Sequence, residues 1–186
     1  MRIKKIAIVV IGTSILSIAA VTLAQDAKKP QAQGGLATIR FLEGKWTGTS
    51  EGQSGKAKVE RTYEQIIGDR FLHGRNTTAY DANDKNPKGE KHEDWSIFSF
   101  DRNRKTIVLR QFHIEGFVNQ YTLTSKPEEQ KTIVFTTEAI ENIGSGWRAR
   151  ETYKVLSPDE FEETFELAGP GKEFEVYSKA TLKRKK

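Results

Sequence analysis

Short segments of alternating apolar and polar residues, separated by turn residues, constrain this chain more than any other feature. Successive side chains of a β-strand point to opposite faces, so alternation with a period of two predicts strands that bury one face. Consecutive antiparallel strands remove their exposed edges by closing, so we predict an all-β chain forming a single ten-stranded antiparallel up-and-down barrel. The ten segments, which follow one another with no long helical pattern, are residues 45–52, 56–66, 70–80, 93–101, 105–113, 117–124, 131–139, 147–155, 160–168 and 172–184.

The N-terminus has the pattern of an export signal. Arg2, Lys4 and Lys5 precede an apolar stretch that ends in small residues just after Leu23. A basic start, an apolar middle and a small-residue exit describe a secretory signal peptide, predicted here as residues 1–24. An uncleaved anchor is the alternative, because about 18 apolar residues can just span a bilayer. We therefore predict an exported protein, periplasmic or extracellular, with no stable membrane insertion after cleavage.

The rest of the chain suits one domain. Residues 25–38 are polar, contain Gly and Pro and show no apolar period, so we predict a flexible spacer before a barrel domain at 39–186. The chain has no Cys, which excludes disulfides, Cys-ligated metal or iron–sulfur sites and a thiol nucleophile. The sequence does not determine the oligomeric state, and a homodimer is one option.

The formal net charge of +5 does not come from the predicted barrel. Without the signal peptide, 27 basic residues face 25 acidic ones, and without the tail Lys183–Lys186 the numbers are 23 and 25. Basic residues elsewhere alternate with Glu, as on any solvated sheet. We therefore predict no nucleic-acid partner.

Three charged residues, Arg61, Glu151 and Glu163, fall in rows that are otherwise apolar. A buried charge is costly unless it is paired, hydrated or in contact with a ligand. They indicate either a structural ion pair or solvated barrel mouth, or a polar patch inside a ligand cavity. The inner row of the eighth strand is predicted as Trp147, Ala149, Glu151, Tyr153 and Val155, and that of the tenth as Phe174, Val176, Ser178, Ala180 and Leu182.

A hairpin rich in hydrogen-bonding side chains spans residues 110–121. Its second strand is predicted to point Phe117, Asn119, Tyr121 and Leu123 inward. The turn register decides whether Arg110 and Phe112, or Gln111 and His113, join them from the first strand. That choice stays open at the level of the sequence.

Motifs for metal binding or catalysis are weak. The three histidines, His73, His92 and His113, lie on separate segments with no close pair, so no metal site is predicted. One alternative is a metal site formed by His92, Asp94 and His113, which lie across one predicted hairpin. There is no G-x-S-x-G elbow and no phosphate-binding Gly loop, and no catalytic residue is assigned.

Residues 41–52, FLEGKWTGTSEG, resemble the G-x-W opening of calycin-like barrels, with an extended form closer to the nitrobindin-like branch than to lipocalins. Residues 91–121 resemble exported bacterial heme-binding-like β-barrel domains of unknown function. The resemblance, over about residues 39–184, implies a ten-stranded calycin- or lipocalin-like barrel. It also implies that a basic residue of the last strand covers Trp46, here Lys183 or Arg184.

Nitrobindins hold heme through a histidine late in the chain, whereas this sequence has no His after His113. The cofactor is therefore left open, and peroxynitrite chemistry is not carried over. His113 as a substitute heme ligand is a hypothesis only.

The function predicted from these observations is an exported barrel that binds a small, partly apolar ligand with an acidic or polar head, without assigned catalysis. The partner would be a small hydrophobic or amphipathic molecule. There are three alternatives. The protein is a heme-binding nitrobindin-like protein, a small hydrolase or isomerase that uses inward Glu or His, or a plain structural barrel with a filled interior. The predicted ligand-binding residues are Trp46, Arg61, Tyr63, Trp95, Arg110, Phe112, His113, Asn119, Tyr121, Glu151 and Glu163.

Overall fold

The computed structural model describes residues 35–82, 87–125 and 131–186. The predicted signal peptide and the spacer up to residue 34 lie outside the described residues. A 3₁₀ helix, Ala37–Leu42, precedes ten strands. The strands are β1 (Gly44–Gly52), β2 (Gly55–Ile66), β3 (Phe71–Tyr80), β4 (Glu90–Asp101), β5 (Thr106–His113), β6 (Val118–Leu123), β7 (Thr132–Glu141), β8 (Arg148–Ser157), β9 (Glu160–Ala168) and β10 (Glu175–Arg184).

Each strand pairs antiparallel with the next, and β1 pairs with β10 to close the barrel. The closing ladder runs from Trp46 opposite Arg184 to Gly52 opposite Ser178. The predicted fold class and strand number are confirmed. Within the described ranges, no helix is both long and apolar enough to cross a membrane.

The second glycine of the G-x-W-x-G motif explains part of this closure. A Cβ atom on Gly48 would lie 1.9 Å from the carbonyl oxygen of Thr181 in β10. Any side chain there would push the two closing strands apart, so this position requires glycine. The motif therefore encodes the closing seam of the barrel as well as its tryptophan.

One end of the barrel is closed by the 3₁₀ helix. Leu36, Ile39 and Leu42 are buried in the same cluster as the inward side chains of the strands. Packing therefore begins at Leu36, inside the segment predicted as a spacer. The strand residues of the cluster include Trp46, Val59, Tyr63, Leu72, Phe98, Leu109, Phe135, Tyr153, Phe161 and Leu182.

Two of the predicted inner rows are wrong at one end. A register irregularity between Val176 and Ser178 shifts the start of β10, so Val176 is 53% exposed while Ala180 and Leu182 are buried as predicted. Phe174 lies ahead of β10, where its ring contacts Arg148 and Arg150. Trp147 precedes β8 and is 39% exposed. A β-bulge turns the following side chains to the opposite face of the strand, and the alternation of apolar and polar residues does not reveal where a bulge occurs.

Candidate functional site

The interior of the barrel carries a belt of polar side chains contributed by most of its strands. Alternation along each strand turns them inward beside the apolar cluster. They lie at positions that pair with one another across the ladders, such as Arg61 with Asn76 and Asn76 with Asp94. The buried or nearly buried members are Arg61, Asn76, Asp94, Ser96, Gln111, Asn119, Glu151 and Glu163.

Arg61 and Glu163 form a buried ion pair. Arg61 Nη2 donates to Glu163 Oε1 at 3.0 Å, and the two side chains are 7% and 12% exposed. Arg61 Nη1 also donates to the backbone carbonyls of Glu60 and Thr77. The guanidinium is therefore largely committed to protein groups, which matches the structural ion pair that the sequence left open.

The other two inward carboxyl groups accept hydrogen bonds from amides. Asn76 Nδ2 donates to Asp94 Oδ1 at 2.6 Å, and Gln111 Nε2 donates to Glu151 Oε1 at 3.4 Å. Burial raises the pKa of Asp94 to about 6, against the opposing effect of Arg61. Burial, with the nearby Glu163, raises the pKa of Glu151 well above its ordinary value. Both carboxyl groups are held in surroundings that disfavour negative charge.

Hydrogen-bonding capacity remains unused in this belt. Among the described residues of this belt, four buried acceptor atoms have no protein partner: Asn76 Oδ1, Gln111 Oε1, Asn119 Oδ1 and Glu151 Oε2. Arg61 Nε and the Tyr63 hydroxyl are also unpartnered. Buried polar groups in folded proteins are nearly always satisfied, so these atoms mark where a water molecule or a polar ligand group would form hydrogen bonds.

A histidine cluster lies beside the belt, at the end of the barrel away from the 3₁₀ helix. Ligand atoms of His92, Asp94 and His113 all lie within 4.8 Å of one another. His92 Nδ1 is 2.8 Å from Glu115 Oε1. The His113 ring stacks on Phe117 with centroids 4.2 Å apart. Burial, followed by the neighbouring His92, lowers the pKa of His113 to about 4, so its imidazole is neutral at pH 7.

The register across β4 and β5 settles the hairpin that the sequence left open. Asp94 faces His113 and Ser96 faces Gln111, which turns Gln111 and His113 inward. Trp95, Arg110 and Phe112 belong to the opposite row, and Trp95 and Phe112 are 45% and 46% exposed. These three predicted ligand-binding residues do not line the interior. A shift of one residue moves a whole row to the other face.

Of the remaining predicted residues, Trp46 lies apart from the polar belt at the closed end. The rest are inward: Arg61, Tyr63, His113, Asn119, Tyr121, Glu151 and Glu163. Asn76 and Ser96 were not predicted as interior groups, and Asp94 was considered only together with the histidines. The sequence signal for these interior groups was a polar residue in the same alternating row as apolar residues. This signal is weak, because short polar side chains occur equally on rows that face solvent.

The comparisons with known proteins agree with this architecture. A family model described as the THAP4-like, heme-binding β-barrel domain matches residues 35–184. The crystal structure of Rv2717c from M. tuberculosis is similar, with a TM-score of 0.59 and 17% identity, covering 81% of this chain and 97% of that chain. No curated protein matches the chain.

Two designed proteins are also similar at lower scores. A redesigned β-barrel has a TM-score of 0.42 and 11% identity, covering 82% of this chain and 98% of that chain. A de novo fluorescence-activating β-barrel has a TM-score of 0.39 and 12% identity, covering 78% and 94%.

The residues present fit heme poorly. Iron in heme needs an axial side chain such as His, Cys, Met or Tyr beside an apolar slot. The last strand has no histidine, and its Tyr177 is engaged by the Ser54 hydroxyl and packs against Phe165. His113 remains as a neutral imidazole, but its Nε2 is already 3.2 Å from Asn119 Nδ2. The polar belt also places carboxyl groups where a macrocycle needs apolar contact.

Proposed function

Because the chain belongs to the family of THAP4-like, heme-binding β-barrel domains, we propose that it is a binding protein whose interior holds a small, partly apolar molecule with a hydrogen-bond-donating head. The observation that carries the proposal is the set of four unpartnered acceptor atoms on Asn76, Gln111, Asn119 and Glu151. They come from four different strands and belong to side chains at most 5% exposed.

The charge balance favours a donating head over an acidic one. Arg61 is paired with Glu163, which leaves the carboxyl groups of Asp94 and Glu151 without an arginine or lysine partner among the described residues. An amine or amidine would supply the N–H groups that the acceptors lack and would favour the ionised form of Glu151. A carboxylate head would meet acceptors and further negative charge.

Apolar contact for the rest of the molecule is available next to the belt. Ile140, Phe165 and Leu167 are only partly buried and pack against the core cluster. Phe165 pairs with Glu151 across β8 and β9, so apolar and polar surfaces adjoin. This combination suits an amphipathic ligand.

The test uses two ligands with the same tail and opposite heads, decylamine and decanoate. Isothermal titration at pH 8 should show the amine binding at least about tenfold more tightly, which corresponds to 1.4 kcal/mol. Glu151→Gln should remove most of this preference, whereas Glu175→Gln, at an exposed position of β10, should leave it intact.

Native mass spectrometry of protein purified from its own cell envelope provides the second readout, because a resident ligand should appear as a mass increment. Tighter binding of decanoate would overturn the proposal, as would an absence of binding to both ligands together with no increment. A Soret band after heme addition that is lost in His113→Ala would replace it with heme binding.

We also propose that the protein is exported. The basic residues Arg2, Lys4 and Lys5 and the apolar stretch after them support a cleaved signal peptide. Cell fractionation and intact-mass analysis should find a mature chain that begins at Gln25. A cytoplasmic protein that retains Met1 would contradict export.

A further inference from the structure

His92, Asp94 and His113 occupy three neighbouring positions on one face of two paired strands. His92 and Asp94 are two residues apart in β4 and therefore share a face. His113, the last residue of β5, is the direct cross-strand partner of Asp94. Neighbours of this kind have Cβ atoms about 5 Å apart, so the backbone itself brings the three side chains together.

We propose that His92, Asp94 and His113 bind a divalent transition-metal ion such as Zn²⁺ at the end of the barrel opposite the 3₁₀ helix, which no described helix covers and which is called the open end below. Two histidines and one carboxylate form a donor set that Zn²⁺ and Fe²⁺ accept, with further coordination positions left for water or another ligand. The proposal does not depend on the organic ligand proposed above, because the three protein groups suffice to hold the ion.

Each proposed ligand has an outer partner that orients it. Glu115 Oε1 lies 2.8 Å from His92 Nδ1, so an N–H there donates to the carboxylate and leaves Nε2 as the metal-binding atom. Asn76 donates to Oδ1 of Asp94 and leaves Oδ2 without a hydrogen bond from that amide. Asn119 Nδ2 lies 3.2 Å from Nε2 of His113, which leaves Nδ1 for the metal ion. Metal binding at Nδ1 moves the ring proton to Nε2, and Asn119 accepts it with Oδ1 after rotation of its amide.

A hydrogen-bonded contact between His92 and Asp94 does not account for this arrangement. His92 Nε2 and Asp94 Oδ2 are 3.8 Å apart, beyond hydrogen-bond distance. Ligand atoms about 2.1 Å from a tetrahedral ion are about 3.4 Å apart, so binding has to draw the atoms together by up to about 1.4 Å from the 4.8 Å that encloses them. Small side-chain rotations are sufficient.

The β5–β6 turn supplies the outer carboxylate. His113 N–H donates to Phe117 O, and Gly116 N–H donates back to His113 O. Gly116 has φ of 89°, a conformation that glycine adopts without strain. This tight turn places Glu115 against His92, so one hairpin provides one metal ligand and the orienting group of another.

The test is a Zn²⁺ titration of the full chain, produced without a polyhistidine tag and stripped of metal with a chelator. We expect one Zn²⁺ per chain. Asp94→Asn should weaken binding at least about 100-fold while keeping an acceptor for Asn76, so the fold is retained. Glu115→Gln should weaken binding by about tenfold, since it removes only the outer carboxylate.

His73→Ala is the matched control, because His73 also lies beside a carboxylate, 3.6 Å from Glu64, but in the opposite row of the barrel. It should bind Zn²⁺ like the parent protein. Co²⁺ should give visible absorption bands that Asp94→Asn and His113→Ala both abolish. Equal loss in His73→Ala, or no stoichiometric binding by the folded parent, would overturn the proposal.

Discussion

The two ends of the barrel fill their interior with different kinds of side chain. At the closed end, the 3₁₀ helix and an aromatic cluster around Trp46 and Phe161 fill the interior. Toward the open end, amide and carboxyl side chains replace the aromatics, and His92 and His113 lie at the mouth. One end is built from apolar contacts and the other from hydrogen-bonding groups.

This difference assigns stability mainly to the closed end and ligand binding to the open end. Trp46 donates from Nε1 to the Leu42 carbonyl at 2.6 Å, and Arg184 covers its ring at 4.1 Å, so the indole of Trp46 is satisfied, whereas Gln65 Oε1 at the same end is buried without a partner. The confirmed Trp46–Arg184 contact also answers which basic residue of the last strand covers the tryptophan. Toward the open end, unpartnered acceptors lower the stability that the same positions would give with apolar side chains.

The largest expected effect comes from removing a tryptophan at the closed end. Trp46→Ala should lower the free energy of unfolding by about 3–5 kcal/mol, because the side chain is 2% exposed and its loss leaves a cavity. Trp147→Ala, near the open end, should cost less than about 1 kcal/mol, since Trp147 is 39% exposed. Urea denaturation measures both, and similar losses would break the comparison between the ends.

A smaller effect is expected from the arginine that ties the closed end together. Arg184 donates to the carbonyls of Phe41 and Glu43 and pairs with Asp159 at 3.0 Å. Arg184→Lys keeps the charge but loses the planar fork, so we expect a loss of about 1–3 kcal/mol.

Lys183→Ala is the control for this variant, because the exposed Lys183 is 3.8 Å from Glu160 and should contribute less than about 1 kcal/mol. Neither variant should alter Zn²⁺ affinity at the open end. A change in that affinity would show that the two ends are coupled.

Most of the barrel could be predicted from the sequence because alternation and turn residues are local signals. Strand β2 was predicted at 56–66 and observed at Gly55–Ile66, and the other strands agree to within a few residues. The bulge at Val176 could not be predicted, because it depends on how β10 meets β9. Local sequence sets which residues form strands, whereas pairing sets the register.

The candidate site was predictable only where an unusual residue stood in a clear row. Arg61, Glu151 and Glu163 were found because a charge in an apolar row is costly. Trp95 was named as a ligand-binding residue although it faces outward, and the face of Phe112 was left open, because the register of β4 against β5 decides both. The metal site proposed here needs that same register, since it joins residues 19 positions apart, Asp94 and His113.

The smallest expected change in the free energy of unfolding is that of Glu151→Gln at acidic pH, measured in metal-free protein. Glu151 is the buried carboxyl group toward the open end. Burial raises its folded-state pKa above the unfolded value of 4.5, so the folded state keeps this proton longer than the unfolded chain. The resulting stability is fully present below pH 4.5 and is lost as the pH rises through the folded-state pKa. Glu151→Gln, a nearly isosteric change, should therefore differ from the parent by less than about 1 kcal/mol at pH 4.

At higher pH the variant should become the more stable protein, because an amide cannot lose a proton in the buried belt. Urea denaturation from pH 4 to pH 9 measures the difference, and Asp94, with a pKa of about 6, contributes a slope to both proteins. Glu175→Gln, at an exposed position, should track the parent throughout. A Glu151→Gln curve parallel to the parent would mean that solvent reaches Glu151, and the open end would then be a solvated mouth instead of a binding interior.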